Sequence, residues 1–262
     1  MSSNLYRTRS KGYMPSIVFK TILVDRSGSM SSFQGKQYDM VEHLLEDSKK
    51  QALETKKPTN VKLVSFDDRV NTIIDQDIST YHISRPELMV ELTPRSTTRF
   101  NDTLIEEINA LCEKKDEYLK TLSKKARELN PDVAMVLIAV TDGDDNESRT
   151  CVTKTKERMV KFRKNGGRAI LMAANMDAEL VGGWYGFNPE KAITVHNSNP
   201  VAIETCYRAV SNMARNMTQG LDAPFTALQR SQSSQPTPDD DSLLLPPPTL
   251  VRNMTVTRQY NH

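Results

Sequence analysis

Residues 132–143 read "DVAMVLIAVTDG", an almost unbroken apolar run that closes on Thr-Asp-Gly. A strand that is apolar at nearly every position, rather than at alternate ones, is buried on both faces, the mark of a parallel sheet covered by helices. Working outward finds the partners such a sheet needs. "SIVFKTILV" (16–24) is a β-branched strand that closes at Asp25, and "NVKLVSFDD" (60–68) alternates like another. "VNTIID" (70–75) is placed to pair with it through the Asp67-Asp68-Arg69 turn, while "RAILMAAN" (168–175) and "AITV" (192–195) are two more strands. Helical spacing of Met40, Val41, Leu44 and Leu45 predicts a helix over 36–57, stopped by Pro58. Further helices are expected from Asn101 to about Leu129, over roughly 150–165, and over 200–217. Strands alternating with helices imply βαβ units and an α/β, doubly wound sheet. Ligands of such sheets sit at the carboxyl ends of the strands. Asp25 and Asp142 both fall there.

Composition bounds the rest. The chain has 262 residues, 37% hydrophobic and 26% charged, enough for one sizeable α/β domain diluted by a polar segment. A formal net charge of +2 gives no global pull towards nucleic acid or an anionic membrane. No apolar stretch approaches the ~20 residues that span a bilayer. The N-terminal run is interrupted by Lys20 and lacks a cleavage-type ending, so no signal peptide is read. Cys112, Cys151 and Cys206 are scattered and form no C-x-x-C pair, which argues against a disulfide framework or thiolate zinc site and favours a reducing, cytoplasmic setting. Residues 1–15 read as an N-terminal arm, 16–218 as the domain, and 219–262 as a Ser/Gln/Pro-rich tail, disordered or bound to a partner.

Three turns are loaded with oxygen donors. "DRSGSM" (25–30) presents Asp25, Ser27 and Ser29; "TPRSTTRFNDTL" (93–104) leads Thr98 into a helix; "TDGDDNES" (141–148) opens on Asp142. Read singly, the first is a strand-to-helix loop whose serines could cap a helix. Read together, two carboxylates and three hydroxyls are a hard, all-oxygen set suited to Mg²⁺, with Mn²⁺ or Ca²⁺ as alternatives, and not to zinc or copper. Two acids only neutralise a divalent ion, which leaves it a Lewis acid with room for a partner's carboxylate. Other readings fail on spacing. An EF-hand from Asp142 lacks glycine at its sixth position and glutamate at its twelfth. Gly28 and "GK" (35–36) make no phosphate-binding loop, and "SGS" is not a nucleophile elbow.

These segments resemble the three loops of the metal-ion-dependent adhesion site of von Willebrand factor type A domains. The family pattern is D-x-S-x-S, a later Thr near a helix start, then an Asp at a strand end. It falls on Asp25, Ser27, Ser29, Thr98 and Asp142. The likeness runs over roughly 16–217 and includes "AANMDAE" (173–179), with "RSTT" replacing the usual glycine turn, so Thr97 competes with Thr98 as ligand. It implies an intracellular, microbial or viral member with a Rossmann-like, mostly parallel six-stranded sheet and helices on both faces. It implies a non-enzymatic, Mg²⁺-dependent module that binds a protein partner's Asp or Glu. A second expectation is a structural subunit of a large assembly whose tail makes contacts. Asp144 is read as a loop charge that bears on partner choice. Trp184 and Tyr185, in the Gly-flanked "GGWYG" (182–186), are either an exposed aromatic anchor or a cover for the sheet edge.

Overall fold

The run at 132–143 forms strand β4 (Val133–Thr141), and all nine of its residues are buried. The computed structural model describes residues 16–236, except 130 and 144. β4 pairs in parallel with β1 (Ile17–Asp25) on one side and β5 (Gly167–Ala174) on the other. β1 pairs in parallel with β2 (Thr59–Phe66), and β5 with β6 (Ala192–Val195). β3 (Val70–Asp77) folds back on β2 as the antiparallel member. The six-stranded order is β3-β2-β1-β4-β5-β6. It is the doubly wound, Rossmann-like α/β arrangement expected, and the order reverses between β1 and β4.

Successive side chains of a strand point to opposite faces, so an all-apolar strand feeds two cores. Ile138 and Val140 join Ile22, Val24 and Ile170 in a core closed by α1 (Lys36–Thr55) and α7 (Pro200–Thr218). Leu137 and Ala139 join Leu23, Val64 and Leu171 in a core under α3 (Phe100–Thr121), α5 (Val152–Lys164) and α6 (Ala178–Tyr185). A short α2 (Arg85–Glu91), not foreseen in the sequence, starts on a capping box formed by Ser84 and Glu87. The helix expected from 101 to 129 is two. α3 stops at Thr121, and Ser123 caps α4 (Lys124–Glu128) by accepting from the Ala126 N–H at 3.2 Å.

The sequence placed the domain's end at residue 218, yet the fold continues. Residues 219–226 lead to α8 (Ala227–Ser233), capped by the box of Thr226 and Gln229. Phe225 is buried, and its N–H donates to Glu190 O at 3.1 Å. Further along, the Ser233 hydroxyl donates to Thr194 O at 2.7 Å, and the His196 N–H to Ser233 O at 2.8 Å. α8 thus lies along the edge strand β6, which would otherwise present unpaired backbone groups. Residues 1–15 and 237–262, which hold the expected arm and most of the expected tail, lie outside the described residues. Among the described residues no helix is long and apolar enough to cross a membrane.

Candidate metal centre

In a doubly wound sheet the crevice opens where the strand order reverses, at the carboxyl ends of the two strands concerned. Here those strands are β1 and β4, and the residues at their ends are Asp25 and Asp142. Asp25 is fixed from two sides. Its Oδ1 accepts the Ser27 N–H at 2.7 Å, and its Oδ2 accepts the Thr141 hydroxyl at 2.7 Å. The Ser29 hydroxyl donates to Asp142 Oδ1 at 2.7 Å, and the Ser27 and Ser29 hydroxyls stand 3.1 Å apart. Thr98 enters from the third loop: a Cβ built on Gly143 would lie 3.5 Å from Ser29 Oγ and 3.7 Å from Thr98 Oγ1. The five oxygen-bearing side chains singled out from the sequence therefore meet at one place. Asp25, Ser27 and Thr98 are buried and form its floor, Asp142 is half-buried, and Ser29 is exposed at its mouth. Thr97 does not join them: it is exposed, and its hydroxyl donates to Glu147 at 3.2 Å.

The loops are held by bonds that the sequence pattern did not reveal. Gly28 N–H donates to Ser96 O at 3.0 Å, and Arg95 N–H to Arg26 O at 2.7 Å, which ties the second loop to the first. Asp67, fully buried at the end of β2, lies 3.1 Å from Arg26 Nε and accepts from Arg95 Nε at 2.6 Å. Asn146 accepts the Thr98 N–H at 2.8 Å, and Thr98 O in turn accepts the Asn146 and Glu147 N–H groups at 3.0 and 3.1 Å. Asp102, one turn into α3, accepts the Arg149 and Thr150 N–H groups, each at 3.0 Å. Burial works to raise the Asp102 pKa; those bonds and the Arg99 charge outweigh it and hold the carboxyl below its ordinary value. The available signal for Asp67 was its place at a strand end, which matches that of Asp25.

The electrostatics of the two acids run the other way. Burial pushes Asp25 from an ordinary 3.8 up to about 6, against the Thr141 and Ser27 hydrogen bonds and with help from the Asp142 charge. Burial also raises Asp142, opposed by the Ser29 hydroxyl. Two carboxylates that each resist ionisation next to one another want a positive charge between them. Among the described residues no group of three or more His, Cys, Asp or Glu side chains is placed to hold a metal. A site here must therefore draw on hydroxyls, and the donor set of two carboxylates and three hydroxyls fits a hard divalent cation.

The other residues singled out from the sequence lie elsewhere. "GGWYG" is the end of helix α6, not a loop: Asp177 caps the helix by accepting from Glu179 and Leu180, and Gly186, at φ 83°, terminates it. Tyr185 is accordingly a core residue, 6% exposed, its ring edge-on to Phe100 at 4.8 Å. Trp184 is 39% exposed. It lies six residues into a helix that starts at the carboxyl edge, about 9 Å along the axis from that edge. Asp144 lies outside the described residues.

No family model and no curated protein matches the chain. Solved structures do. The pilus adhesin SpaC from Lactobacillus rhamnosus GG is similar at a TM-score of 0.53 and 10% identity, over 80% of this chain and 31% of that one. A von Willebrand factor type A structure from Catenulispora acidiphila gives 0.48 at 13% identity, over 78% and 43% of the two chains. Proximal thread matrix protein 1 from the mussel byssus, in a form with a zinc occupied MIDAS motif, gives 0.45 at 16% identity, over 78% and 46%. The chain spans less than half the length of each of these proteins. At such identities the likeness is one of fold.

Proposed function

We propose that this chain, whose fold is that of the von Willebrand factor type A domain, is a metal-dependent protein-binding module and not an enzyme. The observation that carries the reading is the meeting of Asp25, Ser27, Ser29, Thr98 and Asp142 at the switch point of the sheet, delivered by three braced loops. Ser27, Ser29 and Thr98 would hold Mg²⁺, or Mn²⁺ or Ca²⁺, through neutral hydroxyls, and Asp25 and Asp142 would balance its charge directly or through water. A divalent cation bound there supplies a Lewis-acidic position that a carboxylate oxygen from a protein partner can take. The exposure of Ser29 beside buried Asp25 leaves the mouth as the side from which a partner's Asp or Glu approaches.

A further observation supports binding over turnover. Among the described residues, the carboxylates around the three loops are already engaged as structural acceptors. Asp145 takes the Ser148 N–H at 2.9 Å and the Asn101 N–H, and Asp102 takes Arg149 and Thr150. Bound in this way to backbone donors, Asp145 and Asp102 are braces of the loops and not free general bases. The three cysteines are free thiols, which supports an intracellular place of action.

The reading is tested by panning a library of Asp- and Glu-containing peptides on the full chain in Mn²⁺. Retained peptides should be released by chelator and should fail to bind Asp25→Ala. Retention that survives chelator would overturn it.

A further inference from the structure

Helix α5 carries its charge in an order that its own stability does not explain. Thr155, Met159 and Phe162 face the core, and around them stand Lys154, Lys156, Arg158, Lys161, Arg163 and Lys164, with Glu157 as the one acid. Cations in the last turn complement the helix dipole, which accounts for Lys161, Arg163 and Lys164. Lys154 lies in the first turn and Lys156 just after it, where the dipole disfavours a cation. No acid stands in that turn to offset them. Six bases against one acid give α5 a formal charge of +5, which leaves −3 for the rest of a chain whose total is +2.

The charge is not answered from within the domain. Elsewhere on the surface bases sit against acids: Arg85 against Asp39 and Glu42, Arg99 against Asp102 and Glu106, Arg208 against Glu204. On α5, Lys154, Lys156, Lys161 and Lys164 are exposed and meet no carboxylate among the described residues. Arg158 turns to Asn109 Oδ1 at 2.6 Å and Arg163 to Gly186 O at 2.9 Å, both neutral. The helix also starts at the edge of the sheet that holds the metal centre. It follows β4 through residues 142–151, a loop that begins with Asp142 and is pinned at Arg149 and Thr150 by Asp102. At 1.5 Å per residue, α5 carries its lysines over about 20 Å away from that edge. Lys154, Lys161 and Lys164 recur at i, i+7 and i+10 and share one face, with Glu157 among them and Lys156 at its flank.

We propose that the partner whose carboxylate meets the metal is an acid-rich polypeptide segment, and that it continues from the mouth along the exposed face of α5. The inference rests on the metal-binding reading above and adds the chemistry of the partner. An extended segment of about six residues spans the ~20 Å of the helix. One Asp or Glu then seats at the metal while the others pass over Lys154, Lys156, Lys161 and Lys164. Nucleic acid fits this surface less well. A long polyanion would run beyond α5 onto a molecule that is otherwise net negative, and the exposed positions of α5 offer no aromatic ring for bases to stack on. Four exposed ion pairs, each worth a factor of roughly two, make an acid-rich segment bind about tenfold more tightly than one with a single acid.

The test is fluorescence anisotropy of two labelled peptides titrated with the full chain in Mn²⁺ at about 0.15 M salt. One peptide is a run of about eight alternating Asp and Glu residues, and the other holds a single Asp among Gly and Ser. The acidic peptide should bind about tenfold more tightly, and the quadruple variant Lys154→Gln, Lys156→Gln, Lys161→Gln, Lys164→Gln should lose that advantage. The four side chains are exposed, so the variant should fold and titrate Mn²⁺ as the natural chain does. Arginine at the same four positions keeps the charge and should keep the advantage. Equal affinities of the two peptides for the natural chain, or an advantage that survives the glutamines or is lost with the arginines, would overturn the α5 surface and leave the metal site standing. Acidic-peptide binding that persists in chelator and in Asp25→Ala would sink the metal reading, and with it the continuous surface. Binding of neither peptide to a chain that takes up Mn²⁺ would overturn the partner reading and this one together. A single-stranded oligonucleotide that binds more tightly than the acidic peptide, and loses its hold in the glutamine variant, would assign α5 to nucleic acid and overturn the proposal.

Discussion

Asp25→Asn offers a test in which stability and metal response move in opposite directions. Burial raises the folded-state pKa of Asp25 from 3.8 to about 6. Well below pH 3.8 the group is protonated in both folded and unfolded chains and contributes nothing. As pH rises from about 4 to about 6 the unfolded chain ionises freely while the folded chain resists, so stability falls across that window and is level above it. At 1.36 kcal/mol per pH unit, the loss at pH 7 in the metal-free chain is about 3 kcal/mol. Asparagine is nearly the same shape, and its Oδ1 can still accept the Ser27 N–H that now sits 2.7 Å from the carboxylate. In chelator at pH 7 the variant should therefore be more stable than the natural chain by about 2–3 kcal/mol, with no difference near pH 3.5. In Mg²⁺ at a hundred times its dissociation constant the natural chain should recover about 2.7 kcal/mol and the variant almost none. Urea unfolding followed by circular dichroism, at pH 3.5 and 7 with and without Mg²⁺, measures all four states. A variant that is less stable than the natural chain in chelator at pH 7 would refute the reasoning.

Lys20, buried on β1 with its Nζ 2.8 Å from the Ser48 hydroxyl, is lowered by burial from 10.5 to about 8. Its charge is thus a net cost below pH 8, relieved between 8 and 10.5, and Lys20→Met should gain up to about 3 kcal/mol at pH 7 in urea unfolding, a gain that shrinks as pH rises. Asp102→Ala removes the acceptor of the Arg149 and Thr150 N–H groups and loosens the loop that carries Asp142. Calorimetry should show Mn²⁺ affinity reduced by roughly tenfold, although Asp102 is placed among the loop braces and not among the metal's ligands. Tyr185→Ala should destabilise the fold by about 3–4 kcal/mol in the same urea assay, whereas Trp184→Ala should cost less than about 1 kcal/mol. Neither change should alter metal affinity, which calorimetry on the two variants checks.

What the sequence made legible follows from which signals are local. β4 could be read because burial on both faces forbids polar side chains along its whole length. Most of the site could be read because Asp25, Ser27, Ser29 and Asp142 sit at or just after the ends of strands that were plain in the sequence. The braces could not: Asp67 and Arg95 are paired across 28 residues, and Asp102 and Thr150 across 48, so no window of sequence holds both partners. The "GGWYG" stretch misled because its glycines suggest a loop, whereas the helix signal, Asp177 as cap, lies upstream of it. α8 escaped notice because its Ser/Gln composition resembles a linker. Its place is set by tertiary bonds from Arg230 and Ser233 to the backbone of residues 189–194, not by an apolar stripe.

The most direct test of the central claim is a calorimetric titration of Mg²⁺ and Mn²⁺ into the full chain beside Asp25→Ala and Ser29→Ala. A single saturable site in the natural chain, lost in both variants while their circular dichroism stays unchanged, is the predicted result. Heat of equal size in all three chains, or in none, would contradict the assignment of these loops as a metal centre.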